Sequence, residues 1–178
     1  GEDASNFQEF FADEKVEILS MFEELPEGMQ KQPELKYLIR RINGQVNPER
    51  PTAAAIAWGG RNTIEFMSVA FGGEISGIRR LILHEKAHFL HFYSIDQQTK
   101  YDWEELGGWY KDPSQPSGWS TWNTTEFVSA YGHGINPEED FAESLSTYIE
   151  NADRLKNRSM RKYAVSYTHL RAHETLNH

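Results

Sequence analysis

Four side chains able to hold a metal or move a proton lie inside one mostly apolar stretch, RRLILHEKAHFLHFY, residues 79–93: His84, Glu85, His88 and His91. On a helix, residues i and i+4 share a face. Two imidazoles one turn apart can therefore bind a single Zn²⁺ at ~2.0–2.1 Å each. Glu85 then lies beside the metal, placed to take a proton from an attacking water and pass it to a leaving amine. The bland alternative is a coincidence of polar residues on a core helix. Ile82, Leu83, Ala87, Leu90 and Phe92 make that helix mostly buried, where an unpaired His or Glu is costly. A metal gives each imidazole a partner, so Zn²⁺ is the expected cofactor, with His84 and His88 as ligands and Glu85 as general base.

His91 is excluded from this set. It stands seven residues beyond His84, about 10.5 Å along the axis, so the two cannot both reach one ion. A histidine hydrogen-bonded to a neighbouring loop is the expected state. The longer pattern H-E-x-x-H-x-x-G-x-x-H also fails, because position 91 is His and position 94 is Ser. The third ligand has to come from elsewhere, and EEDFAES (138–144) offers three glutamates. Glu139 and Glu143 are i and i+4, with the small Ala142 between them. Glu139 suits coordination, and Glu143 suits accepting the distal ring N–H of a ligand histidine. Glu138 is a further candidate. A metal-free reading competes: Asn136-Pro-Glu-Glu139 also fits a capping box, with Glu139 reaching back to the Asn136 backbone.

SAYGHGINPEEDFAESLSTYIENADRLK (129–156) resembles the corresponding segment of the anthrax lethal factor type of zinc metallopeptidase and of the Pro-Pro endopeptidases. The matching stretches are Tyr131-Gly132, Glu139-Asp140-Phe141-Ala142-Glu143 and Ala152-Asp153-Arg154-Leu155-Lys156. The resemblance implies Glu139 as third zinc ligand and Glu143 as the residue orienting a ligand histidine. It implies that Tyr131 donates its phenol to the oxyanion of a tetrahedral intermediate. Tyr131 stands eight residues before Glu139, one more than in that group, and His133 is the nearby alternative for this role. The fold implied is α+β, a zincin-like catalytic domain with a small mixed sheet and two active-site helices. The expected activity is that of a gluzincin endopeptidase acting on a protein or peptide. The rival from another class is an inactive zinc-binding recognition module of a larger protein.

The elements that must position these residues follow from periodicity and punctuation. Phe7, Phe10, Phe11, Val16, Leu19 and Phe22 predict an amphipathic helix over 7–25. PELKYLIRRING (33–44) predicts a second, with Pro33 in its first turn and Gly44 as its cap. AAAIAW (53–58) and TIEFMSVAF (63–71) read as strands, the second exposed along one edge and available to a peptide adding as an extra strand. The HEKAH helix spans roughly 76–93, and 95–106 can form another. Residues 107–123 hold Gly, Pro, Ser and three Trp and read as a long structured loop. The Trp-rich segment 103–122 is a cleft wall, a sugar-stacking platform or a self-packed aromatic core. Residues 125–135 read as a short strand or turn, and Asn136 caps a helix over 136–151. A last helix begins near Ala152.

The chain has 178 residues, no cysteine and a net charge of −9. That length suits one domain with a real core. An acidic chain without a basic cluster is a poor partner for nucleic acid or an anionic membrane. No apolar run approaches the ~20 residues needed to span a bilayer. GEDASN at the start carries no signal-peptide pattern, and the chain reads as an excised piece of something longer, with no compartment indicated. VSYTHLRAHET near the other end resembles translated sequencing-adapter read-through. The reading is one catalytic domain over 1–164 and a non-native tail over 165–178, which removes His169, His173 and His178 from site building.

Overall fold

Arg40 and Arg41 decide the second element. In this computed structural model, which describes residues 2–30, 32–73 and 75–175, both are 2% exposed. Arg40 reaches Glu14 (Nη2–Oε1 2.9 Å) and Arg41 reaches Glu65. Adjacent side chains with separate buried partners need the alternation of a strand. The helix expected over 33–44 is accordingly the strand Tyr37–Arg41, with Gly44 at φ +79° in the turn that follows. The expected helix over 7–25 also shortens. Phe7–Gln8 is a strand (β1) paired antiparallel with the Tyr37–Arg41 strand, and helix α1 runs Ala12–Glu24. Phe10 packs edge-on against Phe66, 5.9 Å between ring centroids, which ties the segment between them to the sheet.

The short helix α2 (Glu27–Gln30) precedes β2 (Tyr37–Arg41), and β3 (Ala55–Trp58) and β4 (Thr63–Phe66) complete a mixed sheet of order β1-β2-β4-β3. β4 runs parallel to β2 and antiparallel to β3. This corrects the expectation of an exposed strand over 63–71. All four residues of β4 are buried, and Ser68–Phe71 is a 3₁₀ turn. The charged residue within β4, Glu65, is satisfied inside the sheet by Arg41, by Asn47 Nδ2 at 3.0 Å and by Trp58 Nε1 at 2.9 Å. The edge strands are β1 and β3.

Helix α3 (Ile75–Tyr93) lies against β3 on one side and against α6 (Pro137–Glu150) on the other. Ile82, Leu83, Phe89, Leu90, Phe141 and Leu145 are buried in one cluster, each worth about 1.5–3 kcal/mol when fully buried. Ala87 and Ala142, both 0% exposed, keep that cluster thin enough for the helices to approach. Asn136 caps α6 by accepting the Glu139 N–H at 2.8 Å, and Pro137 fills its first turn. Between α3 and α6 come α4 (Gln97–Leu106), the hairpin β5 (Trp109–Lys111)–β6 (Trp119–Thr121) and α5 (Ala130–Gly134). The expected loop over 107–123 is thus a hairpin, and 125–135 contains a short helix.

Two helices close the chain, α7 (Ala152–Arg158) and α8 (Met160–Thr175). α8 runs through position 165, and Ser166 and Leu170 of the tail are buried. The last three residues, His178 among them, lie outside the described residues. No helix among the described residues is long and apolar enough to cross a membrane. The whole is an α+β arrangement in which the small sheet and the C-terminal helices flank α3.

Candidate metal centre

α3 supplies His84 and His88 one turn apart, and α6 brings Glu139 to the same point. His84 Nε2 lies 2.9 Å from Glu139 Oε2 and 3.1 Å from His88 Nε2, and His88 Nε2 lies 3.2 Å from the same Glu139 oxygen. These three donors form the group suited to holding a metal ion among the described residues. Ligands about 2.0–2.1 Å from a tetrahedral ion stand about 3.3 Å apart, close to the three edges seen. All three residues are buried or half-buried, and two of them are imidazoles, a donor set that suits a borderline-soft divalent cation. The capping-box alternative for Glu139 is not adopted. Asn136 caps the backbone, and the Glu139 carboxylate turns inward.

Electrostatics agree with this convergence. Burial opposes ionisation of Glu139, but hydrogen bonds with His84 and His88 hold its carboxyl well below the ordinary range. Burial likewise opposes charge on His84, yet Glu139 and Glu143 together raise it to about 10. A proton is what an imidazole takes up between two carboxylates, and a divalent cation would supply positive charge in its place.

His84 Nδ1 meets Glu143 Oε1 at 2.9 Å. The ring is therefore fixed from both sides, with Nε2 left for the centre. Arg80 holds Glu143 in turn, its Nη2 donating to the Glu143 carbonyl at 3.2 Å and to Oε2 at 3.3 Å. The other nitrogen of the Arg80 fork pairs with Glu150 at 2.7 Å. Ser129, the N-cap of α5, also donates to Glu143.

Glu85 is 5% exposed and faces the same cavity. Burial raises its pKa, opposed by His88 and His84, and its carboxylate accepts the backbone N–H of Ala57 on β3. Tyr131 sits on the opposite wall, its ring 6.0 Å from that of His84. Burial raises the pKa of its phenol, and the charges of Glu139 and Glu85 raise it further, so the group stays a hydrogen-bond donor.

The cavity above these residues is about 240 Å³ and is bounded by β3, by Trp58, Phe89 and Phe92, by Tyr131 and by the exposed Glu138. Other expected residues fall outside the centre. His133 is turned away: its Nε2 lies 3.1 Å from the Asn123 carbonyl and its ring packs 4.7 Å from Phe127. His91 packs on Phe141 at 5.1 Å. Glu138 remains at the rim. The Trp-rich segment does not wall the cavity. Trp103 and Trp109 are buried and donate to Asp140, while Trp122, 74% exposed, stacks on Tyr110. Spacing could have flagged Arg80, which precedes His84 by one turn on the same face. Ser129 and Ala57 carry no such signal.

Comparison with known proteins adds no relative: no family model, no curated protein and no solved structure matches the chain.

Proposed function

We propose that the chain is a zinc-dependent endopeptidase domain of the gluzincin kind, hydrolysing peptide bonds within a zincin-like fold. The observation that supports this reading is the meeting of His84 Nε2, His88 Nε2 and Glu139 Oε2 within 3.2 Å of one another, beside a buried Glu85. His84, His88 and Glu139 would hold Zn²⁺. When bound, the ion polarises the scissile carbonyl and lowers the pKa of the attacking water.

The chain's own groups do the rest. Glu85, whose burial raises its proton affinity, accepts the water's proton and returns it to the leaving amine. Tyr131, kept neutral, donates to the developing oxyanion. Glu143 and Arg80 hold the His84 ring in the one tautomer that leaves Nε2 free. The peptide adds along β3, the edge strand lining the cavity, and not along 63–71 as the sequence suggests.

Zinc content per chain, by elemental analysis of protein purified without chelator, tests the site. One zinc in the wild type and a marked loss in Glu139→Ala are expected. Zinc absent from both, even after reconstitution, would sink the reading. Glu85→Gln should keep its zinc and lose about 10²–10⁴-fold in cleavage of a peptide library. A wild type that holds zinc yet cleaves nothing would favour the inactive zinc-binding module.

A further inference from the structure

Arg50 stands where the cleft changes character. It sits in the segment joining β2 to β3, a turn fastened from inside. Asn47, 3% exposed, donates to Glu65 at 3.0 Å, and its Oδ1 accepts the N–H of Glu49 at 2.9 Å and of Arg50 at 3.3 Å. The Ala53 N–H closes on the Arg50 carbonyl at 3.1 Å. The backbone of Arg50 is fixed while its side chain is exposed. That side chain lines the cavity over the metal cluster and also an adjoining one of about 370 Å³, which reaches Thr52, Gly77 and Arg80.

The surroundings are acidic. Glu85, Glu138 and Glu139 border the first cavity and Glu143 the second. Arg80 is committed to Glu143 and Glu150. Among the described residues, no carboxylate of the chain forms an ion pair with Arg50. Its charge is nonetheless felt at the Tyr131 phenol, where it opposes burial and the two glutamates. The other end of the cleft, at Trp58, Phe89 and Phe92, is apolar.

β3 runs from the Arg50 end of this cleft toward the Trp58 end. A peptide pairing antiparallel with β3 runs the opposite way. Its residues before the scissile bond lie against Trp58 and Phe92, and those after it come to Arg50. We propose that Arg50 is a specificity-determining residue that receives a carboxylate on the part of the peptide following the scissile bond. That carboxylate is either an acidic side chain or the C-terminal carboxylate itself, both matched by a guanidinium fork. The inference rests on the peptidase reading.

Two measurements test it. The first is cleavage of a randomised peptide library by the zinc-loaded protein, in free-acid and C-terminally amidated forms, read by mass spectrometry. Asp and Glu should be enriched within the three positions after the cut. Persistence of cleavage in the amidated library assigns the carboxylate to a side chain, and its loss assigns it to the C-terminus. Arg50→Ala should lower kcat/KM for the best acidic peptide about tenfold, mainly through KM, with zinc content unchanged, and Arg50→Glu should shift the preference to Lys or Arg. Cleavage without acidic preference, or a preference that survives Arg50→Ala, overturns the proposal.

The second measurement needs no turnover. Acidic peptides should be retained more strongly on immobilised, zinc-loaded Glu85→Gln than on Glu85→Gln/Arg50→Glu. Equal retention overturns the role of Arg50. Retention that depends on Arg50, without any cleavage by the wild type, overturns the peptidase reading and leaves the carboxylate site standing.

Discussion

At the scale of single residues, the centre is a chain of commitments running outward from the cluster. His84 spends Nδ1 on Glu143, Glu143 spends Oε2 on Arg80, and Arg80 divides its fork between Glu143 and Glu150. Removing a partner that orients a ligand typically costs 10–100-fold in metal affinity. Arg80→Ala should therefore weaken zinc about tenfold in competition with a chromophoric chelator, without removing a ligand. An unchanged affinity would show that Ser129 alone suffices to hold Glu143. The convergence of His84, His88 and Glu139 was legible because helix geometry turns spacing into proximity: His84, Glu85 and His88 on one helix, Glu139 and Glu143 on another. The three inner positions needed only that period, and the resemblance chose among the carboxylates. Arg80 stands one turn before His84 and could be placed on that face, but its role depends on a partner 63 residues away, which no local pattern carries. His133 was offered by proximity in sequence to Tyr131, and its place two residues further along a short helix turns it toward Phe127.

Elements hold these residues in register through a buried hub behind the site. Asp140 follows Glu139 and points the other way. Its Oδ1 takes Lys162 Nζ of α8 at 2.7 Å, and its Oδ2 takes Trp103 Nε1 at 3.1 Å and Trp109 Nε1 at 3.2 Å. Both charged side chains are 0% exposed. Burial raises the Asp140 pKa and lowers that of Lys162, each countered by the other's charge. Breaking such a pair from one side strands a charge and costs about 3–5 kcal/mol, whereas replacing both with apolar groups is often neutral. Asp140→Asn should lose that much in urea unfolding, and the double variant Asp140→Asn/Lys162→Met should recover much of it. A single-variant loss below about 1 kcal/mol would remove the hub from the account. This also explains why the tryptophans left three readings open: their spacing announces an aromatic cluster, but only the distant carboxylate says that two of them face inward. β2 escaped for a related reason. Helix propensity and a Pro–Gly frame favoured a helix, and the buried partners Glu14 and Glu65, which demand alternation, lie outside that window.

For the whole molecule, the consequence of packing α3 against α6 is that the domain must bury ionisable groups, and its stability must then follow pH. His91 is the clearest case outside the cluster. Its ring lies against Phe141, and burial, with the charges of Lys100 and His88, lowers its pKa from 6.5 to about 4. In the unfolded chain the same group titrates at its ordinary value. Between pH 6.5 and 4 the unfolded state therefore binds a proton that the folded state refuses. The contribution of a neutral His91 is complete above pH 6.5 and is lost as pH falls toward 4. At 1.36 kcal/mol per pKa unit, the loss at pH 4.5 is about 2.5 kcal/mol. His91→Leu keeps the volume and removes the proton, so its unfolding midpoint in urea should fall less than the wild type's between pH 7 and 4.5. Comparing the two proteins at each pH cancels the contributions of the other ionisable groups, which both share. Parallel acid losses in the two proteins would place His91 in water and not against Phe141. A shallower loss in the variant would mark the α3–α6 junction, the same junction that brings Glu139 to the two histidines, as dry enough to exclude a charge.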